Sequence, residues 1–239
     1  MEGAIATARS RARAEVRGEI LAEARRQLAE AGAPALSLRA VTRALGMASS
    51  AAYRYFPSRD DLLTALIVEA YDAVGAVAEA AAAGPGTPGQ RWLAACRAIR
   101  GWARENPHEY ALIYGSPVPG YRAPELTVGP ASRVTLALAG LLVEAEAAGT
   151  LHPPPQTASD PPLPPAVAAE AARVGTLALP GVPLPTVARA VVAWTQLFGH
   201  LSFELFGQFQ NVIEDYDAVF DHAVSLMAEF VGYSLPPTS

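Results

Sequence analysis

The run from Leu38 to Leu63, LRAVTRALGMASSAAYRYFPSRDDLL, leaves this chain few choices of local structure. Leu38, Val41 and Leu45 recur at i, i+3 and i+7, which puts them on one face of a short helix, and Ser37 stands where its N-cap belongs. Gly46 follows at once. A helix that turns sharply into another needs a residue there that accepts positive φ without a Cβ penalty. Ser49 or Ser50 can cap a second helix, Ser50 to Phe56, with Ala52 and Phe56 turned inward and Ser49, Ser50, Ala51, Arg54 and Tyr55 on or near its solvent-facing side. Small residues at such a tip permit close approach to base edges. Pro57 closes the segment by pushing the residue before it out of the α region. Ser58, with Asp61 three residues on, opens the next helix in a near-capping-box arrangement. The spacing is that of a helix-turn-helix, a motif that sets its second helix in a DNA major groove.

The segment Ala52 to Leu63, AYRYFPSRDDLL, resembles the end of the DNA-binding domain of TetR-family transcriptional regulators, which reads roughly LYRHFPSKEDLL. The likeness is ungapped. It continues upstream through Ser37-Leu38-Arg39, Val41 and Ala44-Leu45-Gly46 into an arginine-rich first helix, and spans about residues 10–66. Ala52 stands where Leu is usual, Tyr55 where His is usual and Arg59 where Lys is usual. None of these removes a hydrogen-bond donor, although Ala52 shrinks a core contact. The resemblance implies a DNA surface made of Ser37, Arg39, Ser49, Ser50, Ala51, Tyr53, Arg54, Tyr55 and Arg59. In it Arg39 reaches a base edge or a nearby phosphate, Ser49, Ser50 and Ala51 face base edges, and Tyr53, Tyr55 and Arg59 hold phosphates.

Charge is distributed to suit that reading. The net charge is −5, but residues 1–59 hold ten arginines against five glutamates, so the acidic excess lies wholly in the remainder. A single cysteine, Cys96, excludes an intramolecular disulfide and a cysteine-based zinc cluster. No apolar run approaches the ~18 residues of a membrane span. The N-terminal arginines precede an amphipathic segment, not the continuous apolar one of a signal peptide. The expectation is a cytoplasmic protein with no membrane association.

The rest of the chain reads as helices. Val16, Ile20, Leu21, Ala24 and Leu28 form the buried stripe of the first helix, which Gly32 ends near Ala31. Further helices are expected at about 60–82, 88–105, 108–114, 130–148, 166–178, 185–209 and 216–232, with a proline-rich, exposed insertion, extended or disordered, at 152–165. The fold class is therefore all-α: an N-terminal three-helix DNA-binding domain over 1–59, then a larger helical regulatory and dimerisation domain over 60–239.

Within that second part, residues 194–205, WTQLFGHLSFEL, are similar to the segment that names the WHG class of TetR ligand-binding domains, with Trp194 and Gly199 matching and Phe198 where the class has His. The similarity implies a domain that binds a small-molecule effector and forms a homodimer through its last two long helices. A two-fold dimer reads a palindromic DNA operator. Its interface is expected at Val191, Leu197, Leu201, Leu205, Val219, Ala223 and Leu226, and a ligand cavity near Trp102, Tyr110, Tyr114, Trp194, Gln196, Phe198 and His200. Released by a small apolar ligand, such a protein is a repressor.

The rival is a helical enzyme or carrier with an incidental helix-turn-helix-like segment. His200 and Glu204 lie at i, i+4 on one helix face and could be metal ligands or an acid–base pair, but no third ligand is evident. His108-Glu109 and Asp221-His222 are adjacent in sequence and point to different faces. No GxSxG, P-loop or GxGxxG occurs. No catalytic residue, metal or cofactor is expected.

Overall fold

A computed structural model describes residues 2–152 and 162–235 of the chain. Most of the proline-rich insertion expected at 152–165 lies outside the described residues. The elements in chain order are α1 (Glu2–Ala35), α2 (Leu38–Ala44), α3 (Ser49–Ala52), α4 (Arg59–Ala82), α5 (Pro88–Glu105), α6 (Pro107–Tyr114), a 3-10 turn at Glu125–Thr127, α7 (Val128–Ala147), α8 (Pro165–Ala178), α9 (Leu184–Leu205) and α10 (Tyr216–Val231). Among the described residues the only β pairing is an isolated bridge between Leu151 and Tyr233.

The chain forms two compact units. The first holds residues up to Tyr71 together with Asn106–Val128, and the second holds Asp72–Glu105 and the chain from Gly129 onward. In the first, Ile20, Leu21 and Ala24 of α1, Leu38 and Val41 of α2, Ala52 and Phe56 around α3, and Leu62, Leu63 and Leu66 of α4 make one buried cluster. Burying a Leu or Ile side chain contributes about 1.5–3 kcal/mol. That cluster, and not helix propensity, holds α2 and α3, because helices of 7 and 4 residues are far below the length that is stable alone. Leu112, Ile113, Val118 and Tyr121 pack on the same cluster, so α6 and the loop after it belong with the helix-turn-helix.

Local chemistry places the ends of these helices. Gly32 (φ 74°, ψ 168°) breaks α1 where the sequence predicts its end, although a short helical turn continues beyond it to Ala35. Ser37 accepts from the Ala40 N–H, and Gly46 takes φ 63° at the turn. The Asp61 N–H donates to Ser58 Oγ at 3.1 Å and Ser58 donates to the Asp61 carboxylate at 2.7 Å, so both halves of the pair at the start of α4 are engaged. α3 is shorter than the predicted Ser50–Phe56 helix. After Ala52 the chain tightens into turns, with Arg54 and Tyr55 donating to carbonyls only three residues back.

In the second unit α9 packs against α5, α8 and α10. Trp92, Cys96, Ile99 and Trp102 of α5, Val187, Ala193, Leu197 and Leu201 of α9 and Phe220, Val224 and Val231 of α10 are all buried. α4 and α7 meet closely: a Cβ on Gly75 would lie 2.7 Å from Arg133 Cβ, and Arg133 grips Asp72 (2.8 Å) and Glu79 (2.6 Å). α9 ends at Leu205, short of the predicted Phe209, because the chain turns at Gly207 (φ 82°). Against the expectation that no apolar run reaches that length, the stretch Glu125–Ala147 is long and apolar enough by length and composition to cross a membrane. It carries Val134, Leu138, Leu141 and Leu142, all buried in the unit's core.

Candidate DNA interface and regulatory cavity

The helix-turn-helix presents a small exposed surface. Arg39, Ser50, Tyr53 and Arg54 are exposed, while Ser37, Ala51, Tyr55 and Arg59 are half-buried. Ser49 begins α3. Arg13 of α1 lies 5.9 Å from the Tyr55 ring and joins Arg54 and Val16 in an open groove of about 430 Å³, so α1 and the turn after α3 share one basic surface. Among the described residues Arg11, Arg13, Arg39, Arg43 and Arg54 enter no ion pair, whereas the arginines lower on α1 are engaged: Arg26 with Glu23 and Glu30, Arg17 with Glu69, Arg25 with Glu69 and with Glu109 at 2.9 Å. Cations left without an acid partner are the ones with charge to spend on phosphate. Arg13 is an addition that the motif alone does not single out.

Arg59 has three carbonyl partners. Its Nε donates to Leu36 O (3.0 Å) and its Nη2 to Ala33 O (2.8 Å) and Pro34 O (3.3 Å), with Nη1 3.5 Å from Asp60. These carbonyls lie past the Gly32 break, where Gly and Pro leave the end of α1 short of donors.

Several expected cavity residues lie elsewhere. Tyr110 and Tyr114 belong to the first unit, Tyr110 fully buried, Tyr114 edge-on to Tyr71 at 6.0 Å, and Tyr71 donating to Ile113 O at 3.2 Å. Burial pushes the Tyr114 and Tyr71 phenols above their ordinary range, so both stay neutral donors. Trp102 and Phe198 are buried in the core of the second unit.

The apolar cavity of that unit, about 240 Å³, is walled by Trp92 of α5, Thr135, Leu138 and Leu142 of α7, Val174 and Ala178 of α8, Val191, Trp194 and Leu197 of α9, and Val231. Of the seven residues expected there, Trp194 alone lines it. Periodicity identifies inward faces but not which inward faces fail to meet, and so it missed Trp92 and the α7 and α8 walls. Gln196 and His200 line a separate open groove of about 600 Å³ between α9 and α10, with Phe203, Leu226 and Phe230.

That groove lies on an apolar outer face. Val191, Val219 and Leu226 are exposed, and so are Val192, Phe203 and Phe206. Leu205 and Ala223 are half-buried. Leu197 and Leu201 are corrected: both are fully buried in the chain's own core, since they point along the α9 stripe that packs on α5.

Glu204 is held by Arg100, not paired with His200 for chemistry. Arg100 Nε and Nη2 approach the Glu204 carboxylate at 2.8 Å, Nη1 reaches Asp217 at 2.7 Å, and the guanidinium sits 4.7 Å from the Phe220 ring. His200 packs between Phe209 (5.1 Å) and Phe220 (5.5 Å), and burial lowers its pKa. Cys96 is fully buried, which raises its thiol pKa and leaves it inert. Among the described residues no group of three or more His, Cys, Asp or Glu could hold a metal.

A helix-turn-helix with unpaired arginines beside it, carried on the same chain as a helical unit with an apolar cavity, defines a DNA-binding transcriptional regulator. Comparison with known proteins agrees. Residues 20–66 match the family described as bacterial regulatory proteins, tetR family, and residues 92–227 match the tetracyclin repressor-like C-terminal domain. HTH-type transcriptional regulators of Mycobacterium tuberculosis and Mycobacterium bovis are 37% identical over 223 residues, covering 90% of this chain and 92% of theirs. A crystal structure of a regulatory protein superimposes with a TM-score of 0.74 at 35% identity, over 91% of this chain and 97% of its own. The TetR family transcriptional regulator PfmR from Thermus thermophilus shares the fold, with a TM-score of 0.56 at 17% identity over 88% of this chain and 97% of that one. The chain belongs to the tetR family of bacterial regulatory proteins, and it is a regulator, not an enzyme.

Proposed function

We propose that the chain is a homodimeric repressor of the WHG class, seated on a palindromic operator and released by a small apolar effector in the cytoplasm. The cavity walled by Trp92, Leu138, Val174 and Trp194 carries this reading. A protein that only bound DNA has no use for a half-open apolar pocket, which weakens packing by leaving its lining atoms without partners. Trp194 and Gly199 support the WHG assignment, and the Trp194 ring lies 5.1 Å from that of Phe198, the residue that stands where the class has His.

Operator contact falls to residues 1–59, through Arg39, Ser50, Tyr53 and Arg54 with Arg13 beside them, and effector and dimer contacts fall to residues 60–239. α4 starts at Arg59, beside the helix-turn-helix, and continues to Ala82 in the second unit. A ligand that tilts α4 changes the spacing of the two recognition segments, and palindrome reading tolerates little change in that spacing. A preference of about 1–3 kcal/mol for the non-binding geometry is enough. The exposed row of Val191, Phe203, Val219 and Leu226 supports pairing of α9 and α10 with their two-fold mates.

Operator titration by fluorescence anisotropy, repeated over a panel of neutral hydrophobic compounds, tests the reading. A compound that raises the melting temperature and weakens operator binding supports it. Stabilising compounds that never weaken DNA binding refute coupling through α4.

A further inference from the structure

The residues lining the cavity contain no ionisable group. Their polar side-chain atoms are the Thr135 hydroxyl and the indole N–H groups of Trp92 and Trp194. Thr135 is half-buried on α7 and its hydroxyl takes part in no hydrogen bond among the described residues. The volume, about 240 Å³, lies between the ~150 Å³ that accepts benzene and the roughly 300 Å³ at which drug-sized ligands begin.

We infer that the effector is an uncharged, flat, one- or two-ring molecule with a single hydrogen-bonding substituent that meets Thr135. This rests on the reading of the cavity as the effector site. The flat shape follows from two indoles on the walls, since aromatic faces gain most from offset or edge contact with another ring. Neutrality follows from the missing counter-charge. A carboxylate or ammonium entering this space surrenders its hydration and finds no partner, a penalty that makes ionised ligands at least about a hundredfold weaker than neutral ones of the same shape. The single polar substituent follows from Thr135, because its hydroxyl is solvated when the cavity is empty and must be matched when a ligand displaces that water.

Calorimetry on the full chain with 2-naphthol, naphthalene and 2-naphthoate tests this, because the three share a shape and differ in hydrogen bonding and charge. The expected order is 2-naphthol tightest, naphthalene next and 2-naphthoate at least about a hundredfold weaker than 2-naphthol. Thr135→Val, which keeps the side-chain volume, should lower 2-naphthol affinity about threefold to tenfold and tighten naphthalene, which no longer leaves a hydroxyl unmatched. Ala139→Phe, which fills the cavity, should abolish both. Equal binding of 2-naphthoate, an equal loss of both neutral probes in Thr135→Val, or no saturable binding of either neutral probe overturns the inference. Binding in the expected order without operator release instead overturns the effector role and leaves the ligand chemistry standing.

Discussion

Replacing Arg59 with Ala separates two roles for that residue. The family resemblance gives it a phosphate; the structure gives its guanidinium the carbonyls of Leu36 (3.0 Å), Ala33 (2.8 Å) and Pro34 (3.3 Å). A buried hydrogen bond from a charged donor contributes about 1.5–3 kcal/mol. The Arg59 side chain is one-third exposed, at 33%, and water can replace it on these carbonyls, so the two shorter bonds deserve only partial credit. The net loss is about 2 kcal/mol, which in a chain of this size lowers the melting temperature by roughly 4–8 °C. Operator affinity should fall as α2 and α3 loosen, yet the slope of log affinity against log salt should keep its value, because no phosphate contact is lost. Arg59→Lys, with charge but no fork, should recover less than half of the stability. Thermal melts together with operator titrations at several salt concentrations read both quantities. An Arg59→Ala protein that melts with the wild type and has a salt slope shallower by roughly one unit refutes the carbonyl role and restores the phosphate one.

Arg100→Met leaves the buried Glu204 carboxylate only Arg104, at 3.9 Å, and should cost up to about 3–5 kcal/mol in chemical denaturation, with most of it recovered in the Arg100→Met, Glu204→Leu double variant. His200 binds its proton less readily in the folded chain because burial between Phe209 and Phe220 outweighs the pull of Glu204, and Arg100 adds to the lowering. The unfolded chain therefore takes up protons first as pH falls through about 6.5, so the melting temperature should drop between pH 7 and the lower folded pKa, and His200→Gln should flatten that part of the profile. Cys96 should resist a thiol-reactive dye at pH 8 in the native protein and react fully in denaturant; rapid native labelling contradicts its burial.

What could be read from the sequence was local. The Ser37 cap, the Gly46 turn and the Ser58–Asp61 pair each act within a few residues, and each stands in the structure where its spacing implies. A similar signal passed unread at α5, where Thr87 and Gln90 cap one another reciprocally, Thr87 N–H to Gln90 Oε1 at 2.9 Å. The length of α3 was beyond local reading, since its four residues are helical only because the surrounding core holds them. The Arg59 contacts span more than twenty residues of chain and depend on how the Gly32 break aims the carbonyls. The cavity was hidden for a different reason. Trp102 and Trp92 share an amphipathic face of α5, and only the packing of α7 and α8 decides that a void opens at Trp92 and not at Trp102. The inward stripe of α9 likewise reads as one apolar set, although Leu201 fills the core while Val191 reaches the surface.

The most direct test of the central account is a footprint of the full chain on the DNA upstream of its own coding region, with wild type beside a Tyr53→Ala, Arg54→Ala variant of unchanged melting temperature. The account predicts two protected half-sites about one helical turn apart, lost in the variant and lost again when an effector is added. Protection that survives the double substitution, or a single protected site bound by a monomer, contradicts it.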